Sequence, residues 1–228
     1  RNIDDALMED LGECDWTAML VPSKLVHAQL IVRQAAVLCG VDWFEGTLSK
    51  LDPFAKVTWH YSEGDMMQPD TKVCDIAANS RALLSAERPC INFLQTLSWT
   101  ASITRQHVDA ISGVSPNPRG CVVLDTRKTI PGLRQAQKYA VRVGGGQNQR
   151  LALWHGILIK ENHIAAAGGV AAALKAAQAL NSGVDIQVEV ENFAELKEAL
   201  NADAKSILID NFTTEQMKEA VTFNNGRA

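Results

Sequence analysis

The sequence lacks the features that mark several large classes of protein. It contains no internal repeat, no low-complexity tract and no apolar run near the roughly 20 residues that a transmembrane helix requires. Nor do we expect a signal peptide. Its 22 basic residues do not outnumber its 26 acidic ones, and the net charge of −4 disfavours nucleic acid as the main partner. We therefore expect a globular protein that binds neither a membrane nor nucleic acid.

Cysteine is also scarce, and it is not paired. The five cysteines are odd in number and form no C-x-x-C motif, which disfavours a disulfide framework or a zinc site. Reduced thiols are typical of a cytoplasmic protein. The cysteines are Cys14, Cys39, Cys74, Cys90 and Cys121.

What is present is enough apolar material for a packed core, at 46% of the residues. Residues 1–112 mix helical and strand patterns, which indicates an N-terminal domain with an antiparallel sheet. The pattern predicts helices at 3–11, 42–51 and 80–111, with a break in the last near Ser98. It predicts strands within 25–38 and at 57–61 and 72–77.

The segment 113–120 holds two prolines and two glycines, and it predicts a boundary before a second domain at 113–228. Short apolar strands then alternate with helices, which is the pattern of a parallel sheet, either open or closed into a barrel. The predicted strands are 121–124, 140–143, 156–159, 186–190 and 206–209. The predicted helices are 171–180, 193–200 and 214–221.

Charged residues follow these predicted strands. In α/β barrels the carboxyl ends of the strands build the active site, so we expect the charges to meet at one rim. Clustered cations repel one another, by about 4 kcal/mol per pair at 4 Å in an effective dielectric near 20, so the rim favours a ligand with several negative charges. Two acids beside them suit Mg²⁺ that is bound partly through substrate phosphates. The cations are Arg127, Lys128, Arg150 and Lys160, and the acids are Glu189 and Asp210.

Several neighbouring residues have a simpler interpretation. Gly144 to Gly146 form either a flexible turn or a place where the backbone approaches a ligand closely. His163 is more often a structural hydrogen-bonding residue than a catalyst. We expect Glu191 to face outward rather than to join Glu189 at the rim. Arg88, taken alone, is a surface charge on a helix.

Longer motifs run in order along nearly the whole chain. The most specific string is Asp125-Thr-Arg-Lys-Thr-Ile-Pro-Gly-Leu-Arg134. The others are Glu9-Asp-Leu-Gly12, Ala86-Glu-Arg88, Lys138-Tyr-Ala-Val141, Gly144-Gly-Gly-Gln-Asn-Gln-Arg150, Leu158-Ile-Lys-Glu-Asn-His-Ile164, Val188-Glu-Val-Glu-Asn192 and Leu208-Ile-Asp-Asn-Phe212. Taken together, these motifs resemble the quinolinate phosphoribosyltransferases.

The resemblance implies an N-terminal α/β sandwich followed by an incomplete, seven-stranded α/β barrel. It implies phosphoribosyl transfer from phosphoribosyl pyrophosphate to quinolinate with loss of carbon dioxide, in NAD biosynthesis. It also implies a homodimer, or a hexamer built as a trimer of dimers, in which active sites are shared between subunits.

The resemblance further implies a role for each rim residue. Arg127, Arg150 and Lys160 would hold the quinolinate carboxylates, and Lys128 would lie between the pyridine ring and the donor. Glu189 and Asp210 would hold the ribose hydroxyls and the Mg²⁺-pyrophosphate. Arg88 would reach into the partner subunit's site.

The sequence departs from the family pattern at four points. Gln149 stands where the family has His, and it can hydrogen-bond a carboxylate but cannot carry charge. Pro89 replaces a Thr after Arg88 and, in mid-helix, would kink the segment. Trp99 replaces a Gly. The sequence ends before the family's last two barrel strands, so we expect it to be incomplete.

Three other functions remain open at this point. Gln149 allows a phosphoribosyltransferase that uses another heteroaromatic acid without decarboxylation. A non-catalytic, metabolite-binding relative is disfavoured by Glu189 and Asp210, because binding a dicarboxylate alone requires no acids. A phosphate-binding barrel of another pathway is disfavoured by the string that begins at Asp125.

Overall fold

A computed structural model of the chain describes residues 1–115, 117 and 120–228. Contacts within the chain group it into two compact units, Arg1–Gln149 and Arg150–Ala228. The predicted linker at 113–120 includes Pro116, Pro118 and Arg119, which lie outside the described residues. The domain boundary predicted there falls within the first unit, and it stays a prediction.

The first unit combines helices with a small antiparallel sheet, as the sequence predicts for this half. Its strands pair in the order β1-β5-β3, with β2 and β4 paired separately. In chain order its elements are α1 (Asn2–Leu11), β1 (Leu25–Ile31), β2 (Ala36–Val37), α2 (Val41–Leu51), β3 (Lys56–Trp59), β4 (Met66–Met67), β5 (Lys72–Asn79), α3 (Ser80–Ile111) and α4 (Arg134–Val143).

The core of this unit lies between the sheet and the helices α2 and α3. Phe44 and Leu48 of α2 pack with Val73 and Ile76 of β5 and with Leu94 of α3. Cys74 and Cys90 belong to the same cluster, and burial raises the pKa of each thiol to about 12. All five cysteines are free.

Helix α3 is continuous over 32 residues, so the break predicted near Ser98 is wrong. The Ser98 hydroxyl accepts a hydrogen bond from the Cys39 backbone N–H at 3.0 Å and donates one to the Cys39 carbonyl at 3.2 Å. A buried serine with both bonds satisfied need not interrupt a helix. The helix also continues through Pro89, which supplies no backbone N–H. Asn79 begins it, accepting from the backbone N–H groups of Arg81 and Ala82.

The strand predicted at 140–143 is also wrong, because these residues form the end of α4. Ala136 and Ala140 are fully buried and, with Leu133 and Val143, they give the i, i+3, i+7, i+10 spacing of one helix face. Residues 121–124 form no strand either. The contact there is a single parallel bridge between Leu124 and Gln147.

Two glycines after α4, Gly144 and Gly146, are required by packing. A Cβ on Gly144 would lie 2.4 Å from the Ala101 carbonyl oxygen and 2.7 Å from the Thr104 Cβ, and one on Gly146 would lie 2.8 Å from the Thr104 Cγ2. Ala101 and Thr104 belong to α3. Close packing on α3 is a third explanation, which the two interpretations of this triplet did not include.

The second unit contains a parallel sheet of β6 (Ile157–Ile159), β7 (Ile186–Val190) and β8 (Ile207–Ile209), in that order. The three strands and three helices predicted here are confirmed, whereas α5 was not predicted. The helices are α5 (Glu161–Ala167), α6 (Val170–Ala179), α7 (Phe193–Asn201) and α8 (Thr214–Asn224).

The two faces of this sheet have opposite character. Ile159, Val188 and Ile209 face a cluster that includes Leu174 of α6 and Leu196 of α7. Because side chains alternate along a strand, the intervening residues point to the other face. Within the described ranges, no helix of either unit has the length and apolar character needed to cross a membrane.

We expect Gly144→Ala to destabilise the protein by about 1–3 kcal/mol, because the added methyl group meets backbone and a packed side chain of α3. Urea denaturation followed by circular dichroism measures this change. Gly46→Ala in α2 is the matched control. Its Cβ would meet the movable Ile3 Cδ1 at 2.6 Å, so we expect no loss of stability. Equal losses in both variants would contradict this account of Gly144.

Candidate active site

In the second unit, charged residues lie on the sheet face opposite the helices. Ile159 of β6 pairs with Val188 of β7, so Lys160 and Glu189, one residue further along each strand, lie side by side. Leu208 pairs with Glu189, and Asp210 follows two residues later on the same face. Three charged residues thus mark the carboxyl ends of three adjacent parallel strands.

Lys160 and Glu189 form an ion pair with 3.3 Å between Nζ and Oε2. The Glu189 side chain is 9% exposed, whereas that of Lys160 is 44% exposed. The lysine therefore neutralises a buried carboxylate while part of its own side chain stays accessible. Its backbone N–H donates to Nδ1 of His163 at 3.0 Å, so His163 has the structural role expected of it.

Asp210 is exposed and directly follows β8. Its backbone N–H donates to the Val190 carbonyl at 2.9 Å, which keeps the start of the loop in register with β7. The next residue, Asn211, has φ of 60° and donates a side-chain hydrogen bond to Glu191. The carboxylate of Asp210 is thus held at the sheet edge and remains accessible.

Arg150 begins the second unit and is half-buried. Its Nη1 donates to the Gly156 carbonyl at 3.0 Å. A Cβ on Gly156 would lie 3.5 Å from the Arg150 Cβ, so this arginine crosses directly over the glycine. One side of the guanidinium is thereby oriented by the backbone before β6.

In the first unit, the conspicuous polar feature is a buried network around Asp125. Its carboxylate forms an ion pair with Lys138, and the two side chains are 6% and 2% exposed. Oδ2 accepts from Asn148 Nδ2 at 2.6 Å, and Oδ1 accepts from the Gln149 backbone N–H at 2.9 Å. The ammonium group also donates to the Gln149 carbonyl at 3.1 Å.

Arg127 and Lys128 follow Asp125 in a segment without regular secondary structure. The Nε of Arg127 is buried and has no hydrogen-bond partner among the described residues. Buried donors are normally satisfied, so an unpaired guanidinium nitrogen indicates a missing acceptor. Lys128 is exposed, and its backbone N–H donates to the Thr126 hydroxyl at 2.9 Å.

Two further predicted residues belong to the first unit. Arg88 is exposed on α3 beside the buried Pro89, so its side chain points out from the unit. Gln149 is half-buried, and its backbone belongs to the Asp125 network.

The structure joins some of the predicted residues directly. Lys160 contacts Glu189 in the second unit, whereas Gln149 in the first is bonded to Asp125, which was not predicted as a site residue. The predicted residues are divided between the two units, so their convergence on a single rim stays a prediction. The partners Lys138 and Asn148 were not predicted as site residues. No signal in the sequence marks Lys138, because it lies on the side of α4 opposite the Ala136 and Ala140 stripe, where a lysine is expected to be solvated.

The acids fit a magnesium ion only with ligands from outside the protein. Among the described residues, no group of three or more His, Cys, Asp or Glu side chains could hold a metal. Glu189 is also paired with Lys160. Two carboxylates on adjacent strands, one of them accessible, suit Mg²⁺ that takes its remaining ligands from phosphates and water.

Comparison with known proteins identifies the family. Residues 15–98 match the N-terminal domain of quinolinate phosphoribosyl transferase, and residues 100–228 match its C-terminal domain. The chain belongs to the quinolinate phosphoribosyltransferase family. It is 38% identical to the nicotinate-nucleotide pyrophosphorylase [carboxylating] of Mycobacterium leprae, over 98% of this chain and 78% of that protein. It is 37% identical to the probable enzyme of the same name from Bacillus subtilis, over 90% and 70%.

Solved structures agree with this assignment. The nicotinate-nucleotide pyrophosphorylase from Francisella tularensis matches with a TM-score of 0.92 and 41% identity, covering 98% of this chain and 78% of that one. NadC from Streptococcus pyogenes matches with a TM-score of 0.91 and 36% identity, covering 99% and 79%. The mixed α/β fold of this chain is therefore that of a known enzyme family.

We expect Lys160→Met to lower the free energy of unfolding by about 1–2 kcal/mol, because it leaves the buried Glu189 carboxylate without its cation. Lys205→Met is the control, since Lys205 pairs with Asp203 on the surface and both side chains are more than 70% exposed. We expect the control to change stability by less than about 0.5 kcal/mol. Urea denaturation compares the two, and a loss no larger than that of the control would refute the pairing.

Proposed function

We propose that this protein transfers a phosphoribosyl group from phosphoribosyl pyrophosphate to quinolinate and releases carbon dioxide. The products are nicotinate mononucleotide, pyrophosphate and carbon dioxide, in a step of NAD biosynthesis. The observation that carries the proposal is the charged edge of β6, β7 and β8, in a chain that matches both domains of this enzyme family.

The architecture that we propose is an N-terminal α/β sandwich followed by an incomplete, seven-stranded α/β barrel. The strands β6, β7 and β8 would be three consecutive barrel strands, with α6 and α7 on the outside. We further propose a homodimer or a trimer of dimers. The exposure of Arg88 supports its reaching a partner subunit's site. The cytoplasmic location stays a prediction.

Quinolinate carries two adjacent carboxylates, and the residues proposed to hold it are cationic. Arginine offers a planar fork that binds a carboxylate through two hydrogen bonds. The unsatisfied Nε of Arg127 supports a role as one such donor. Arg150 and Lys160 would supply the other charges, and the Gln149 amide would add a neutral hydrogen bond.

The donor is proposed to lie beside Lys128, Glu189 and Asp210. The exposed ammonium group of Lys128 would lie between the pyridine ring and the phosphoribosyl group, where it can stabilise negative charge on the leaving pyrophosphate. Glu189 and Asp210 would hold the ribose hydroxyls and a Mg²⁺ ion. When bound with the donor, Mg²⁺ would supply charge neutralisation to the pyrophosphate oxygens.

The reaction then requires mainly positioning and electrostatics from the protein. The bond between ribose C1 and the pyrophosphate oxygen loosens, and the pyridine nitrogen bonds to C1 as pyrophosphate leaves. The ring nitrogen now carries positive charge, so it stabilises the electron pair that stays on the neighbouring ring carbon when the carboxylate on that carbon departs as carbon dioxide. The ring carbon finally takes up a proton. No covalent nucleophile is needed, and we assign none of the cysteines a role.

Release of labelled carbon dioxide tests the reaction directly. Full-length protein with carboxyl-labelled quinolinate, phosphoribosyl pyrophosphate and Mg²⁺ should release one carbon dioxide for each pyrophosphate. Removal of Mg²⁺ with EDTA should abolish release. Transfer to another heteroaromatic acid without carbon dioxide would instead identify the related transferase, and quinolinate binding without turnover would identify a non-catalytic relative.

We expect Arg150→Ala to weaken quinolinate binding by at least about tenfold while changing donor binding much less, because a charged hydrogen bond to a carboxylate contributes about 1.5–3 kcal/mol. Isothermal titration calorimetry with each ligand measures both effects. Arg33→Ala, which removes an exposed arginine paired with Asp70, is the control. Equal losses for the two ligands would show that Arg150 is not in the quinolinate subsite.

A further inference from the structure

The ion pair between Asp125 and Lys138 is buried more completely than stability requires. The two side chains are 6% and 2% exposed, and Lys138 is the largest fully buried residue of the described chain. Removing two charges from water costs several kcal/mol per ion, and well-packed apolar residues often serve equally well or better. A buried ion pair is therefore weak evidence of a stabilising role. The position of this pair in the chain points to another role.

The pair joins three segments that are distant in sequence. Asp125 stands two residues before Arg127, Lys138 lies within α4, and Asn148 and Gln149 directly precede Arg150. The Asp125 carboxylate accepts hydrogen bonds from the Asn148 side chain and the Gln149 backbone N–H. Asn148 Nδ2 also donates to the Lys138 carbonyl at 2.9 Å. The network thus fixes the backbone at Gln149 and just before Arg127, two residues of the proposed quinolinate subsite.

The segment after Asp125 is anchored at its start by this network. Residues 125–133 form no helix or strand, and the preceding contact is a single bridge between Leu124 and Gln147. The unsatisfied Nε of Arg127 is useful for binding only if its position is set before the ligand arrives. The buried carboxylate of Asp125 can set the position of Arg127, because its directional hydrogen bonds allow few alternative arrangements.

We propose that Asp125 and Lys138 form a positioning pair, which sets the quinolinate subsite through the backbones that carry Arg127 and Gln149. Neither residue touches substrate in this role. The proposal rests on the proposed function, since it assigns these backbones to the quinolinate subsite. It predicts that loss of the pair acts selectively on the acid rather than on the donor.

The test is Lys138→Met in the full-length protein, which keeps the side-chain length and removes the charge. We expect the KM and the calorimetric Kd for quinolinate to rise by at least about tenfold, and those for phosphoribosyl pyrophosphate by less than about threefold, because displacement of binding groups by about 1 Å can cost about 100-fold. Lys72→Met, which removes a half-exposed lysine paired with Asp75, is the control and should match the parent protein.

A second variant separates positioning from stability. Asp125→Asn with Lys138→Met removes both charges, so it should regain much of the melting temperature lost in Lys138→Met, while quinolinate binding stays weak. Recovery of both properties, or parent-like quinolinate binding in a destabilised Lys138→Met, would overturn the proposal. If Lys138→Met does not fold, the double variant carries the test alone, and quinolinate binding equal to that of the parent protein would overturn the proposal.

The two proposals fail in different ways. A parent protein that binds quinolinate without releasing carbon dioxide contradicts the proposed function, and the binding comparison between parent and Lys138→Met still decides the positioning role. A parent protein that neither binds nor converts quinolinate overturns both. Equal weakening of acid and donor in Lys138→Met overturns the positioning role alone.

Discussion

The cost of taking charged groups out of water shapes both units of this protein. In the first unit, Asp125 is neutralised by Lys138 and receives further hydrogen bonds, so both side chains can be buried. In the second, the buried Glu189 is neutralised by Lys160. The Nε of Arg127 has no such partner within the described chain. Buried donors are rarely left unpaired, so this contrast distinguishes groups that complete the fold from one that is available to an anion.

Helix α3 provides the frame against which the first of these charged networks is assembled. Its side chains contribute to the core beside the antiparallel sheet, and its backbone at Ala101 lies against Gly144 after α4. Arg105 of the same helix donates to the carbonyl of Gly144 at 3.1 Å, which satisfies an acceptor beyond the last turn of α4. Packing of α4 on α3 thereby places Lys138 where it can meet Asp125. The requirement for glycine at 144 and the Asp125–Lys138 ion pair therefore both depend on the packing of α4 on α3.

The sequence predicted most of the second unit because its strands are short, apolar and separated by amphipathic helices. It predicted the wrong structure at 140–143, where alternation over four residues resembles a strand and only a longer window shows the helical spacing of Leu133, Ala136, Ala140 and Val143. The Lys160–Glu189 contact follows from strand register, which requires knowing that β6 and β7 are neighbours. The Asp125–Lys138 pair could not be predicted from pattern alone, because a lysine in a helix is usually solvated and its partner lies 13 residues away.

The same network explains how the chain accommodates its departure from the family pattern at Gln149. Asp125 and Lys138 bond to the backbone N–H and carbonyl of this residue, groups that every amino acid except proline supplies in full. Exchange of His for Gln at this position therefore leaves these backbone bonds intact. The consequence of the exchange is confined to the side chain, which loses the ability to become cationic and keeps the ability to donate a hydrogen bond. Arg127, Arg150 and Lys160 already carry three positive charges. A neutral donor at 149 therefore changes how strongly the proposed quinolinate subsite attracts an anion, but the charge of the subsite stays positive.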